Sequence, residues 1–262
     1  MRNNKMMYNK YDKDTFISTF RKSMPMRNLV WLVLVLCSSC GLSSCEKISG
    51  QGPVVTEVRT INNFTGINTS IEGDVYVYQD SVYKVELLAQ QNILDAIESS
   101  VDNGVLNIGF KSSVRIGPHD RIKVYITMPA VRSLAVSGSG LLSALQPIEA
   151  DDVELKIAGS GNISLSSLAG NKVSGTIAGS GNITVLDGSA YSEQININGS
   201  GLLDLAGIAS QNADVNLSGS GASKVNIQKV LNASISGSGT IYYTGNGQIN
   251  SNVSGSGKVV KM

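Results

Sequence analysis

One tripeptide, Gly-Ser-Gly, recurs seven times in the second half of this chain and constrains its fold more than any other feature. The intervals between successive copies are 21, 20, 20, 20, 18 and 18 residues. Self-similarity at a short, nearly fixed period indicates a solenoid or a repeat array. Apolar residues alternate with polar residues on both sides of the tripeptide, as at Leu155 and Ile157 before one copy and at Ile163 and Leu165 after it. Alternation with period two is typical of β-strands and not of helices.

Other repeat architectures do not fit this period or these residues. A propeller blade needs four strands and about 40 residues. The Leu and Asn spacing of leucine-rich repeats is missing, and calcium-binding nonapeptide rolls need an aspartate where this chain has residues such as Ile163 and Leu203. We therefore predict an all-β fold, a single-stranded parallel β-helix of about seven coils of about 20 residues, preceded by an irregular β-rich N-terminal section.

Each Gly-Ser-Gly lies between two predicted strands, where the chain must turn a tight corner. Glycine reaches positive φ without a Cβ clash, so two glycines permit a sharp bend. Stacked corners form a column of backbone and serine hydroxyls. This column is either a plain structural corner or a shallow groove in which a flat ligand lies. The predicted corner glycines are Gly138, Gly140, Gly159, Gly161, Gly179, Gly181, Gly199, Gly201, Gly219, Gly221, Gly237, Gly239, Gly255 and Gly257.

Charge and cysteine usage exclude two classes of protein. The chain has 21 Lys and Arg against 20 Asp and Glu, and it shows no basic stripe, so nucleic acid is not an expected partner. Its three cysteines, Cys37, Cys40 and Cys45, all lie near the N-terminus. The rest of the chain therefore has no disulfide framework.

An enzyme is a concrete alternative, because pectate lyases and polygalacturonases are parallel β-helices. Their chemistry needs clustered carboxylates with Arg or Lys, or a carboxylate-bound calcium ion. Asp151 and Asp152 are adjacent, but the neighbouring coils supply no matching acids, and no arginine follows Arg132. The only histidine, His119, cannot build a histidine-based metal site alone. We expect no catalytic residue, no cofactor and no metal, and hence no enzymatic activity.

The N-terminal region has the layout of a secretion signal. Arg27 precedes the apolar run 29–36, which is too short to span a bilayer, since a helix needs about 20 residues. Leu42-Ser43-Ser44-Cys45 resembles the lipobox of bacterial lipoproteins, which implies palmitate-type acylation of Cys45. We predict an over-extended start over 1–25, a lipoprotein signal peptide over 26–44, a tether over 45–56, an N-terminal β section over 57–133 and the repeat β-helix over 134–262.

The N-terminal β section predicts several local elements. Val75–Tyr78 and Tyr83–Leu88 are predicted to form a hairpin, and 91–97 a short helix. Asp102-Asn103-Gly104 predicts a turn before the strand 105–110. Residues 111–121 predict an exposed loop before the strand 122–128. We expect this irregular section to cap the first coil.

Several short segments resemble one known family. They are Asn63-Phe64-Thr65-Gly66-Ile67-Asn68, Asn92-Ile93-Leu94 and Asn103-Gly104-Val105-Leu106-Asn107-Ile108, followed by the Ser-Gly-Ser-Gly repeats. Together they are similar to the head GIN domain family of auto-transporter adhesins, found in lipoproteins of Bacteroidetes. The resemblance covers the chain from about residue 57 onward. It implies a right-handed β-helix and a cell-envelope location, and it transfers no binding residue.

The sequence predicts a lipid-anchored cell-envelope protein that binds or spaces at a surface without catalysis. The alternatives are a carbohydrate-active β-helix enzyme and a purely structural periplasmic lipoprotein. Expected partners are the outer membrane through the lipid, a glycan or extracellular protein, and a second copy at the far end of the rod. Asp80-Ser81-Val82 resembles an O-glycosylation site of Bacteroidetes envelope proteins at Ser81. The Asn-x-Ser/Thr tripeptides, such as Asn182-Ile183-Thr184, are expected to be stacked side chains and not glycosylation sites.

Overall fold

Two ladders of parallel strands run along this protein, whose computed structural model describes residues 46–262. Within these residues, the one helix is far too short to cross a membrane. The elements of the N-terminal section are β1 (Glu46–Ile48), β2 (Val54–Arg59), β3 (Gly66–Thr69), β4 (Gly73–Gln79), β5 (Lys84–Gln90), α1 (Gln91–Leu94), β6 (Ile97–Asp102), β7 (Val105–Phe110), β8 (Val114–Ile116) and β9 (Ile122–Met128). The strands of the repeats are β10 (Ser133–Gly138), β11 (Leu141–Ala144), β12 (Ile148–Gly159), β13 (Asn162–Leu165), β14 (Leu168–Gly179), β15 (Asn182–Val185), β16 (Gly188–Gly199), β17 (Leu202–Gly219), β18 (Ala222–Gly237), β19 (Thr240–Thr244), β20 (Gln248–Gly255) and β21 (Lys258–Lys261).

Each repeat pairs in parallel with the next at the spacing of the Gly-Ser-Gly copies. Ile157 of β12 lies opposite Ile177 of β14, and Ile177 lies opposite Ile197 of β16. On the second ladder, Ile163 of β13 lies opposite Ile183 of β15. The parallel, all-β solenoid is therefore confirmed. It has about six turns and not seven, because seven corners delimit six intervals.

Columns of aliphatic side chains fill the interior between the two ladders. One column consists of residues that are at most 2% exposed, and it joins six coils in register: Val136, Ile157, Ile177, Ile197, Leu217 and Ile235. The parallel register places equivalent aliphatic side chains of adjacent coils on top of one another. Each coil therefore covers apolar surface that the neighbouring coil would otherwise expose. The burial of this alternating set is what stabilises the rod.

The N-terminal section extends both ladders, but here the order of the strands in space does not follow their order in the chain. Strand β3 pairs with β10 on one side and with β7 on the other, and β4 lies in the same way between β11 and β9. The predicted hairpin of 75–78 with 83–88 is therefore wrong. Strand β9 separates the two segments, pairing in parallel with β4 and antiparallel with β5. The long-range pairing of β9 is favoured over a local hairpin because it gives β9 hydrogen-bond partners along both edges, β4 on one and β5 on the other.

Antiparallel strands close this end of the rod. Strand β5 covers β9, β2 covers β5, and β6 covers β7 through the turn at Asn103 and Gly104. Both turn residues have positive φ, 49° and 75°, which matches the predicted turn. The predicted helix over 91–97 is the single turn α1, and Ile97 already begins β6. The N-terminal section thus caps the solenoid, as expected.

The segment expected to be a tether is structured at both ends. Strand β1 pairs in parallel with β8, which lies inside the predicted loop 111–121, and β2 begins at Val54. The Gly117 N–H donates to Ile48 O over 2.7 Å, and the Gly50 N–H donates to Pro118 O over 2.8 Å. These hydrogen bonds hold residues 46–50 against the loop.

The opposite end of the solenoid leaves its interior open to solvent. Val253 of β20 continues the aliphatic column but is 40% exposed. On the second ladder Lys261 occupies the inward position that Tyr243 and Val225 hold in the two coils before it. An inward-pointing charge is one way in which natural proteins discourage strand addition at an exposed sheet edge.

Candidate functional site

The Gly-Ser-Gly corners depend on both glycines, and only the first has a positive φ. The first glycine of each copy has φ between 118° and 135°, a region that side chains with a Cβ rarely adopt. The second glycine lies against the coil before it. A Cβ on Gly181 would lie 2.2 Å from Gly161 O, and one on Gly201 would lie 2.3 Å from Gly181 O. The corner therefore admits no larger residue at either position.

The backbone donors of the corners are used within the rod. The Ser180 N–H donates to Gly159 O over 2.9 Å, and the Ser200 N–H donates to Gly179 O over 2.9 Å. These amides are not free to cradle an anion. The serine side chains of all seven copies are exposed, and Ser256 Oγ lies 3.1 Å from Ser238 Oγ. The column consequently offers a line of hydroxyl groups and little else.

A hollow of about 560 Å³ lies where this column meets the N-terminal section. Its walls include Glu72, His119, Arg121, Ser139 and Asn162. His119 donates from Nδ1 to its neighbour's carbonyl, Asp120 O, over 2.6 Å. Among the described residues, His119 has no side-chain hydrogen bond to Glu72 or Ser139. The hollow therefore has no nucleophile joined to a base.

Arg121, one of the residues that line this hollow, belongs to an ion pair. Arg121 donates from Nε and a terminal nitrogen to the two carboxylate oxygens of Asp74, both over 2.5 Å. Asp74 is buried, whereas the Arg121 side chain is 68% exposed. The hydrogen bonds from Arg121 lower the pKa of Asp74 below its usual 3.8, more than burial raises it. Both charges are thus largely neutralised, and the pair serves to join β4 to the segment before β9.

An ordered polar surface lies on the outer side of strands β16, β17, β18 and β20. We call it the amide face. Its outward side chains form three columns across four coils, and every one is exposed or half-buried. They are Gln194, Asp214, Asn232 and Asn250; Asn196, Asn216, Ser234 and Asn252; and Asn198, Ser218, Ser236 and Ser254.

Side-chain hydrogen bonds run along two of the three columns of the amide face, from coil to coil. Asn250 Nδ2 donates to Asn232 Oδ1 over 2.9 Å, and Asn232 Nδ2 donates to Asp214 Oδ1 over 2.7 Å. In the next column Asn216 Nδ2 donates to Asn196 Oδ1 over 3.2 Å. A similar bond of 3.0 Å joins Asn182 to Asn162 on the second ladder. The expectation that these asparagines stack is confirmed.

One acid lies inside the solenoid among the aliphatic side chains. Glu193 is 2% exposed and stands in register between Val173 and Ala213. Ser210 donates to its Oε1 over 2.5 Å, and its Oε2 has no hydrogen-bond partner among residues 46–262. Burial raises the pKa of Glu193 to about 8, although the serine hydrogen bond opposes this shift. The small side chain of Ala213 leaves room for the larger carboxyl group.

The other residues singled out from the sequence do not converge on one place. Cys45 and the predicted signal peptide lie outside the described residues. Ser81 is exposed between β4 and β5, and its hydroxyl donates to Asp80 Oδ1 over 3.2 Å. Asp151 lies at a shallow depression of about 480 Å³ together with Glu149. Within residues 46–262, no three His, Cys, Asp or Glu side chains are grouped to hold a metal ion.

The family model "Putative auto-transporter adhesin, head GIN domain" matches residues 63–247, which is most of the chain. This chain belongs to the head GIN domain family. The match covers β3 to β19 and ends before β20, which contributes one strand to the amide face. A comparison with curated proteins finds no match.

Solved structures share the fold of this head GIN protein. A "putative adhesin" from Bacteroides fragilis superimposes with a TM-score of 0.77 at 20% identity, covering 82% of this chain and 100% of its own. A "putative lipid binding protein" from Parabacteroides distasonis gives 0.68 at 25% identity, with 83% and 100% covered. A "putative adhesin" from Parabacteroides merdae gives 0.67 at 21% identity, with 83% and 99% covered. The solenoid with its N-terminal section is thus shared among proteins whose sequences have diverged widely.

Proposed function

We propose that this protein is a lipid-anchored binding module of the bacterial cell envelope that acts without catalysis. An acyl group on Cys45 holds it at the outer membrane, and the solenoid presents a surface to a glycan or an extracellular protein. The amide face is the observation that supports this function. It is exposed, it spans four coils, and five of its twelve side chains are joined by hydrogen bonds between coils.

Order of this kind favours recognition over a purely structural role. A solenoid needs only inward apolar residues and its backbone ladders for stability, so its outward positions are free to vary. Side chains that are already held lose less conformational freedom when a ligand binds. The family's adhesin description and the lipobox of the sequence are consistent with a binding role at the envelope.

Two measurements on cells expressing the full chain test this function. Cys45→Ser should move the protein from the membrane fraction to the soluble fraction, because acyl chains contribute about 0.8 kcal/mol per buried CH₂. Cells with the native protein should also attach to surfaces coated with glycans or matrix proteins better than cells lacking it. Unchanged membrane partitioning would contradict the anchor, and equal attachment would contradict the binding role. Turnover of a coated glycan would instead indicate an enzyme.

A further inference from the structure

The amide face differs in chemistry from the rest of its own sheet. In the two coils before it, the same three columns hold Glu154, Lys156 and Ala158 and then Ser174, Thr176 and Ala178. There Lys156 forms an ion pair with Glu154 over 2.6 Å. From β16 onward these positions change almost entirely to asparagine and serine, with Asp214 as the one charge. The strands stay in continuous register at these positions, so the backbone pairing does not require this change.

Each stacked asparagine keeps at least half of its hydrogen-bonding capacity for solvent. A primary amide has two N–H donors and an oxygen with two acceptor positions. In the column of Asn232 and Asn250, the ladder occupies one donor of each amide and one acceptor position of Asn232. The remaining donors and acceptors therefore point outward at fixed positions, repeated at the coil spacing of about 4.8 Å.

The coils of the amide face also enclose a shallow depression of about 470 Å³. Its walls include Asp214, Asn216, Asn232, Ser234, Asn250 and Asn252. The depression thus lies across three adjacent strands, β17, β18 and β20, and so crosses successive coils of the rod. A ligand in it would meet the same kind of side chain once in every coil.

The residue types of this face select among classes of ligand. Nucleic acids and anionic glycans need Lys or Arg, and the twelve positions of the face contain neither. Protein interfaces depend on aromatic, Met or Arg anchors, which these positions also lack. A lipid surface needs apolar or basic groups. A neutral polyhydroxylated chain needs paired donors and acceptors without charge, and the amides and hydroxyls supply these.

We propose that the amide face binds a neutral polysaccharide, whose repeating sugars lie along the depression and exchange hydrogen bonds with one coil after another. This inference rests on the proposed function and names its ligand class. Each contact is weak, and affinity comes from repetition along the rod, since linked contacts act at high effective concentration. The ladders of Asn232 and Asn250 fix the geometry of the central column.

Affinity electrophoresis of the full chain, purified from expressing cells, tests the proposal. The gels contain dextran, starch or galactomannan as neutral polymers, and polygalacturonate or hyaluronate as anionic ones. We expect retardation by at least one neutral polymer and by neither anionic polymer. The double variant Asn232→Ala/Asn250→Ala should weaken that retardation by about tenfold, since it removes hydrogen bonds of two amides.

Asn182→Ala is the matched control. It breaks the similar ladder with Asn162 on the second ladder of strands, away from the amide face, and it should leave retardation unchanged. Circular dichroism confirms that each variant is folded. Retardation by anionic polymers alone, by no neutral polymer, or equal losses in the control and the double variant would overturn the proposal. Cells that still attach through this protein to a coated matrix protein would then retain the proposed function with a different ligand.

Discussion

Glu193 should make the stability of this protein fall as the pH rises through neutrality. Its pKa is about 8 in the folded protein against an ordinary value of 4.5, because burial disfavours the charged carboxylate. Below pH 4.5 the group is protonated in both states and costs nothing. Above that, the unfolded chain loses the proton first and is favoured increasingly until the folded pKa is passed.

The size of this effect follows from the two pKa values. Each pH unit between them corresponds to about 1.4 kcal/mol. Between pH 5 and pH 8, the carboxyl should therefore lower the free energy of unfolding by roughly 3–4 kcal/mol. Glu193→Gln keeps the shape and the capacity to accept the Ser210 hydrogen bond but does not titrate. Its stability advantage over the native protein should grow by that amount across the same window.

Urea unfolding of the native and Glu193→Gln proteins at pH 5, 6, 7 and 8, followed by circular dichroism, measures this difference. Glu149→Gln is the control, because Glu149 is exposed to solvent. The pH dependence of its stability should run parallel to that of the native protein. If the Glu193→Gln and native curves also run parallel, the carboxyl is not held neutral in the folded interior and the reasoning fails.

Three further predictions concern the corner, the ion pair and the open end. Gly181→Val should destabilise the protein by about 1–3 kcal/mol, because its Cβ would meet Gly161 O. Ser180→Val at the exposed position should be tolerated, and equal effects of the two changes in urea unfolding would contradict the stacked corner. The ion pair of Asp74 contributes stability that is lost as the pH falls through the depressed pKa of this carboxyl. Asp74→Asn should therefore remove the part of acid unfolding that begins below pH 3.8. An unchanged acid unfolding curve would show that the pair does not stabilise the fold. Hydrogen exchange over 241–262 should be fastest in the solenoid and should slow at high protein concentration if a second copy docks there; protection that is uniform and independent of concentration through Val260 would refute end-to-end association.

The repeats were predictable from sequence because local and long-range signals coincide there. The strand period, the corner glycines and the 20-residue spacing all specify the same register, so Ile157 stacks on Ile177 as expected. The predicted number of coils was one too high, because the corners were counted in place of the turns between them. The stacking of Asn182 on Asn162 followed from the same register.

The N-terminal section was harder to predict because its pairings are non-local. The segments around Tyr78 and Tyr83 look like a hairpin when they are read alone, yet strand β9, which begins at Ile122, lies between them. No local pattern encodes that order. The pairing of β1 with β8 was missed for the same reason, since both strands are three residues long and lie in polar surroundings.

The candidate site was only partly visible in the sequence. Asparagine and serine before each corner were recognised as stacked, but their change from charged residues such as Lys156 becomes clear only when the coils are aligned in register. Glu193 was visible as an acid in phase with the inward residues Ile195 and Ile197. A period-two spacing with Ile195 and Ile197 places Glu193 on the inward face of the strand, so this spacing is the feature that predicts its burial.

An NMR titration of the asparagine side-chain amides with a neutral polysaccharide tests directly whether the amide face binds the ligand. If the amide face is the binding surface, the Nδ2 signals of Asn216, Asn232 and Asn250 should shift with increasing ligand, while those of Asn162 and Asn182 on the other ladder should stay in place. Shifts confined to the serine corner or to the hollow beside Arg121, or no shift at saturating polymer, would contradict the assignment of binding to this face.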